Sequence, residues 1–289
     1  MKIHDAFLLY HDYVLCATSS RSRQTETGRW QHHIAPELAA YELEQINALT
    51  IAKFRATLLE KKLAPQTVCH CLSLLRRILN RAVEWGLYSG PVPKIRMPKF
   101  DNRRIRYLTH SEAANLVSTL YTISPIWADV AVFDLNTGLR RGELLSLLPS
   151  QIDLTNRECH ILESKTFHAR SIPLNDTAMN IAQKHLAVSE SALPLFHAKG
   201  NPLNPYSRHF REAVRQCGFN AGVSDRRSQV CFHTLRHTFA SWLVQGGVPL
   251  QVVSQLLGHA SLKMTLRYAH LAPSQHRAAV DSLCISVLP

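Results

Sequence analysis

The sequence predicts a mainly α chain of two domains, and three observations carry that prediction. Apolar residues recur near the helical period of about 3.6 through most of the first 100 positions and again beyond Thr109. A basic stretch punctuated by glycine and proline interrupts the pattern over 89–106. Three short β-prone runs fall between 152 and 174, enough for one small antiparallel sheet. The expected division is therefore a helical domain over 1–88, a linker over 89–106 and a mixed helical domain over 107–289.

In chain order, Ala6, Leu9, Tyr10 and Tyr13 place one apolar face on a first helix. Thr50 is the expected cap of a second, carrying Ile51, Phe54, Leu58 and Leu59. Pro65 suits a first-turn position and opens a long helix through Val68, Leu72, Leu75, Leu79, Val83 and Trp85. Arg76, Arg77 and Arg81 make its polar side basic. Gly86, Gly90, Pro91, Pro93 and Pro98 then favour an extended path that also holds Lys94, Arg96, Lys99, Arg103, Arg104 and Arg106. Thr109 and Glu112 form a capping box for the next helix. Pro125 starts another that runs to Gly138, and a short helix over Arg141 to Leu147 stops near Pro149. Strands are expected around Ile152 to Leu154, Cys159 to Leu162 and Arg170 to Leu174. Beyond Asn175 the pattern is helical again, with starts at Asn204-Pro205, Thr234, Pro249 and Ser261 and ends at Gly246-Gly247 and Gly258.

A formal net charge of +12 on a chain that is 46% hydrophobic points to a core-forming protein that meets a polyanion. The basic residues are spread through both halves rather than along one amphipathic helix, which favours nucleic acid over a membrane surface. No apolar run approaches the ~20 residues that span a bilayer. Met1-Lys2-Ile3-His4-Asp5 has a histidine and an acid where a signal peptide would turn apolar. Seven scattered cysteines suggest reduced thiols, and Cys69-His70-Cys71 lacks the gap of a metal knuckle. A cytoplasmic location, nucleoid-associated in a bacterial or phage-derived setting, is the expectation.

Near the carboxyl end, Tyr268 follows Arg140, Lys165, His233, Arg236 and His259 along the chain. One phenol with five cationic or cationisable groups is what a metal-free attack on a phosphodiester requires. Thr137-Gly138-Leu139-Arg140-Arg141-Gly142-Glu143-Leu144 resembles the first box of the tyrosine recombinases, the phage integrase family. His233-Thr234-Leu235-Arg236-His237-Thr238-Phe239-Ala240 resembles the second. Leu257-Gly258-His259 and Thr265-Leu266-Arg267-Tyr268-Ala269-His270 follow at the separations that family shows, and Ser164-Lys165 before Arg170-Ser171-Ile172-Pro173-Leu174 is similar to its hairpin lysine segment. The resemblance covers the whole second domain, and the first is similar, more weakly, to the family's core-binding domain.

The chemistry of each residue is consistent with that likeness. A phenol with a pKa of ~10 needs proton removal or a positive field before it attacks. Arg140 and Arg236 present rigid forks of donors to the charge that gathers on phosphoryl oxygens. Lys165 could protonate the leaving 5′ oxygen, His233 is the candidate base or proton shuttle for the phenol, and His259 follows a helix-ending glycine. Glu143 is read as a buttress of the first arginine. Phe167 and His168 stand where the family hairpin often has glycine and a basic residue, so a wider loop is expected. His233 and His237 have a zinc-compatible spacing, but no acid lies between them and Arg236 would repel a cation, so no metal and no cofactor is assigned. Arg141, His237 and Arg267 are read as phosphate contacts or surface charge.

The resemblance implies a C-shaped clamp on double-stranded DNA, a helical core-binding domain joined to a mixed helical catalytic domain with its small antiparallel sheet. It implies a covalent 3′-phosphotyrosyl intermediate, a free 5′ hydroxyl, and four protomers exchanging strands through a four-way junction without ATP or metal. An accessory directionality protein is a further expected partner. The chain starts on the core-binding helices, so the extra amino-terminal domain of some integrases is not expected. Ala278, Val280, Leu283 and Ile285 mark a tail expected to dock on a neighbour. Two alternatives stay open: relaxation of supercoils in the manner of a type IB topoisomerase, and a DNA-binding regulator without catalysis.

Overall fold

The computed structural model describes residues 1–100, 106–162, 169–189, 192–205 and 208–273. Lys165, Phe167, His168, Arg103, Arg104 and the apolar tail beyond Pro273 lie outside the described residues. The chain divides into two compact units, Met1–Asn102 and Arg103–Pro289.

The first unit is helical throughout its regular structure. α1 (Ile3–Tyr13) buries Ile3, Ala6, Phe7 and Tyr10, so its apolar face is rotated from the expected one and Tyr13 stays exposed. α2 (Ser20–Arg29) runs through a π-helical turn (Trp30–Ile34) into α3 (Ala35–Leu38); its polar composition hid it from the apolar periodicity. α4 (Ala48–Glu60) is capped by Asn47, whose side chain accepts from Leu49 and Thr50 amides, not by Thr50 itself. Leu58 is buried and Leu59 exposed. α5 (Pro65–Glu84) opens on its proline and buries a broad stripe from Val68 to Ala82. Two of its basic residues are paired within the unit: Arg77 lies 2.6 Å from Glu26 and Arg81 2.5 Å from Glu84.

The second unit opens on α6 (His110–Ile123) with the Thr109–Glu112 capping box formed in both directions. α7 (Pro125–Thr137) is buried on nearly every face and ends on left-handed Gly138; α8 (Arg141–Leu145) follows at once. β1 (Ile152–Asp153), β2 (Glu158–Ile161) and β3 (Arg170–Pro173) form an antiparallel sheet in that order. Cys159 pairs with Ile172 and Ile161 with Arg170, so the two-residue period puts Arg170 on the same inward face as Ile172.

α9 (Asp176–Leu186) packs on α7. A small hairpin of β4 (His197–Ala198) and β5 (Asn201–Pro202) was not expected from sequence. Lys199 and Gly200 both take positive φ at its tip, the backbone of a tight primed turn, but Lys-Gly is a weaker signal for it than Asn-Gly. α10 (Arg208–Gln216), α11 (His233–Gln245) and α12 (Leu250–Leu257) complete the helices. Ser261 caps a 3-10 turn rather than an α-helix, and a second 3-10 segment, Leu266–Leu271, carries Tyr268. No helix among the described residues is long and apolar enough to cross a membrane.

Candidate active site

Two helix ends build the cationic part of the site. α12 stops at Gly258 with φ of 59°, leaving its last carbonyls without intrahelical partners. Three guanidiniums take them in turn: Arg170 Nε donates to Leu256 O at 3.1 Å, Arg236 Nη2 to Leu257 O at 2.6 Å and Arg140 Nη2 to Gly258 O at 2.8 Å. Arg236 Nη1 also donates, at 2.7 Å, to the carbonyl of Gly138, where α7 ends in the same left-handed way. Both glycines are required twice over. Their φ is positive, and a Cβ at 138 would lie 2.2 Å from Phe239 while one at 258 would lie 2.7 Å from Arg170.

Glu143 ties this array together. Its Oε1 accepts from Arg140 Nη1 at 2.9 Å and Arg170 Nη1 at 3.2 Å; its Oε2 accepts from the Arg140 amide at 2.8 Å and Arg170 Nη2 at 2.7 Å. Burial alone would raise its pKa, but these bonds, Arg170's foremost, outweigh burial and hold the carboxyl below its usual range. Arg236 is 3% exposed, and burial with Arg140 beside it brings its pKa down to about 10, so it stays charged at neutral pH. Asp134, fully buried on α7, is pushed well above the carboxylate range by burial, with Arg236 pulling the other way. Three guanidiniums facing one carboxylate leave an excess of positive charge suited to an anion.

The histidines and the phenol complete the arrangement. Positions i, i+3 and i+4 put His233, Arg236 and His237 on one face of α11. That helix is tied to the start of the unit: the Leu108 amide donates to Thr238 Oγ1 at 2.9 Å, and Trp242 Nε1 donates to Leu108 O at 3.1 Å. Tyr268 is 6% exposed, and its hydroxyl shares a 2.5 Å hydrogen bond with His237 Nδ1. Burial pushes the phenol up to about 12 against the opposing pull of Arg267 and Arg236. His233 is exposed, its ring centroid 4.7 Å from that of His237 at an interplanar angle of 76°. His259 Nδ1 shares a 2.8 Å hydrogen bond with buried Thr265; burial, then Arg236 and Arg140, push it down to about 4. It is neutral at neutral pH and can offer an anion an N–H without carrying charge.

Arg140, Glu143, Arg236, His259 and Tyr268 thus share one neighbourhood through direct bonds or mutual fields, with His233 at its exposed edge. Three contributors lie outside the residues that the sequence assigns to the site. Arg170 could have been found from its place two residues before Ile172 on β3. Thr265 carried no signal beyond its motif. His237, read as phosphate contact or surface charge, is 5% exposed and bonded to the phenol, which corrects the surface reading. Its i, i+4 spacing from His233, compatible with zinc by spacing alone, is the signal that sets both on one face of α11.

Fold and site together define a two-unit helical protein with a cationic cradle beside a phenol. The profile of the phage integrase family matches residues 106–275. The integrase of Salmonella phage P22 is 34% identical over 244 residues, covering 79% of this chain and 61% of the relative. A structure of the Tn1549 transposon integrase with circular intermediate DNA superposes with a TM-score of 0.80 at 17% identity, covering 98% of this chain and 100% of that one. A lambda integrase tetramer bound to a Holliday junction gives 0.73 at 19% identity, covering 96% and 79%. At those identities the structural likeness establishes the fold. The chain belongs to the phage integrase family. It spans about three fifths of the P22 integrase's length.

Proposed function

We propose that the chain is a site-specific DNA recombinase that cuts and rejoins duplex DNA through a covalent 3′-phosphotyrosyl bond at Tyr268. The observation that carries this reading is the phenol seated beside a cradle of guanidiniums fixed on two helix ends. In this reading a phosphate enters the cradle and takes donors from Arg140 and Arg236, whose positions are set in advance by Glu143 and by backbone carbonyls. Preset charge of this kind lowers the barrier because no reorganisation is needed as negative charge develops. Arg170 is a positioning residue, acting through Glu143 and the end of α12. His259 donates to a phosphoryl oxygen as a neutral imidazole, its ring oriented by Thr265.

The phenol oxygen forms a bond to phosphorus as the bond to the 5′ oxygen breaks. Lys165 is the assigned donor of the proton that oxygen takes up, and exposed His233 borders the site as a proton shuttle or phosphate contact. A 5′ hydroxyl from a partner duplex then reverses the step. Bond energy is conserved and the positive charge comes from side chains, so neither ATP nor a metal enters the scheme. The lambda integrase tetramer on a Holliday junction supports assembly of four copies on paired sites. A cytoplasmic setting and an accessory directionality protein belong to the same proposal.

The test uses a nicked duplex selected from a randomised pool by binding to the full chain. The parent protein is expected to become covalently attached to the 3′ side of the break, and Tyr268→Phe to bind without attachment. Attachment by the Phe variant overturns the nucleophile. Relaxation of plasmids that lack the selected sequence, at the same rate as plasmids carrying it, overturns site specificity.

A further inference from the structure

We propose that His237, rather than exposed His233, is the proton acceptor for Tyr268, taking the phenol proton on Nδ1 as the oxygen attacks phosphorus. The inference rests on the strand-transfer reading above and adds a catalytic residue to it. A base has to lie within hydrogen-bond reach of the proton it removes, and that geometric criterion precedes any argument from acidity. The Tyr268 hydroxyl and His237 Nδ1 meet it, at 2.5 Å. The contact joins two elements that pack on each other, α11 and the 3-10 segment Leu266–Leu271, so neither partner reaches it through a flexible side chain alone. Both residues are nearly enclosed, His237 at 5% and Tyr268 at 6% exposure, which keeps bulk water from serving as the base.

The need for a base is greater here than for a free tyrosine, because burial holds the phenol to about 12. Prior ionisation is correspondingly rare, and the proton has to leave as the oxygen–phosphorus bond forms. His237 with its proton on Nε2 accepts the phenol proton on Nδ1 and becomes imidazolium. The Tyr268 oxygen bonds to phosphorus, the bond to the 5′ oxygen breaks, and that oxygen takes its proton from a separate donor. On resealing, the attacking 5′ hydroxyl returns its proton to the donor that supplied it, and the departing phenolate recovers the one stored on His237. His233, edge-on to His237 with centroids 4.7 Å apart and open to solvent, is placed to stabilise or relay that charge rather than to receive it first. A buried tyrosine and histidine can also pair merely to satisfy each other, and the experiment has to separate the two roles.

The experiment compares parent, His237→Asn and His237→Ala, each with tyrosine or with a fluorinated, more acidic tyrosine at position 268. Attachment to the selected nicked duplex is followed in single turnover, with duplex binding and thermal unfolding as controls. Asn places an acceptor oxygen near the Nδ1 position but cannot hold a proton at neutral pH. The expected result is duplex binding near the parent's in both variants, with attachment slowed by ~10² or more for the ordinary phenol. With the fluorinated phenol, which needs less help to lose its proton, the deficit should shrink to within about tenfold. A purely positioning role predicts equal deficits for both phenols, or full activity in His237→Asn; either outcome overturns the proposal while leaving strand transfer intact. Attachment by both variants at the parent's rate does the same. If the parent attaches with neither phenol, the strand-transfer reading fails and this proposal with it.

Discussion

The guanidinium cradle and the seat of the phenol are neighbours built on opposite plans. In the cradle every positive group has several fixed partners: Arg236 reaches the ends of both α7 and α12, and Arg140 and Arg170 share Glu143 and the adjoining carbonyls. The phenol rests on a short 3-10 segment, and the side-chain bond described for it runs to His237. The difference follows from what each must do. Charge stabilisation works best when the donors do not move, whereas a nucleophile that attacks and is later released has to shift relative to the phosphate. The cradle should therefore respond to substitution through stability and rate together, and the seat chiefly through rate.

Arg236→Ala is the most severe way to break that contrast. Cleavage should fall by ~10² to 10³, as when one fixed donor to a developing oxyanion is removed. Affinity for the duplex should change little, since one phosphate contact is a small part of a large electrostatic footprint. Stability should fall too, because Gly138 O and Leu257 O lose their donor. Arg236→Lys should not restore the rate, since an ammonium lacks the rigid fork that spans both carbonyls. Single-turnover cleavage, binding titration and thermal melts measure the three effects, and equal losses of binding and cleavage would reduce Arg236 to an ordinary contact.

Gly138→Ala comes next and acts on stability first. The added methyl would sit 2.2 Å from the Phe239 ring in a backbone with φ of 59°. Overpacking and the left-handed penalty together should cost about 2–4 kcal/mol. Gly258→Ala meets the unbranched side chain of Arg170 instead of a packed ring, so its stability loss should be smaller, about 1–2 kcal/mol. It should still slow cleavage by displacing Arg170 from Leu256 O and Glu143. Similar melting temperatures for the two variants would show that the cradle is less rigid than its bonds suggest.

These positions also show what could be read in advance. Gly138 and Gly258 were legible because their roles depend on local backbone geometry, and Arg140 and Arg236 because they stand in the two boxes that resemble those of the tyrosine recombinases. The Thr109–Glu112 box and the starts at Pro65 and Pro125 were legible for the same local reasons. α2 was missed because it is polar along its length, and Tyr13, Leu59 and Val83 misled because neighbours elsewhere in the fold decide which apolar residues are covered. Arg170 and His237 belong to that second class. One acts across a gap of 27 residues to Glu143 and the other across 31 to Tyr268, and nothing in their own neighbourhoods announces the partner.

The smallest expected effect lies inside the cradle and runs against its general pattern of satisfied groups. Asp134, one turn before Gly138, is buried, and neither carboxyl oxygen has a hydrogen-bond partner among the described residues. Burial raises its pKa well above the usual value, with Arg236 pulling the other way and Glu143 adding to the rise. The unfolded chain ionises this group near its ordinary pKa of ~3.9, while the folded chain keeps it protonated to much higher pH. Stability is therefore full below the unfolded value and declines as pH rises toward the folded one, the reverse of a salt-bridged carboxylate. Asp134→Asn removes the titration at nearly constant volume. It should raise stability at neutral pH by about 0.5–2 kcal/mol, in the range of other single stabilising changes, and flatten the melting temperature between mildly acid and neutral pH. Cleavage should be unchanged, because the substitution leaves in place the bonds that fix Arg140, Arg170 and Arg236. A loss of cleavage with no gain in stability would mean that Asp134 is ionised beside Arg236, and that the cradle holds a second fixed anion.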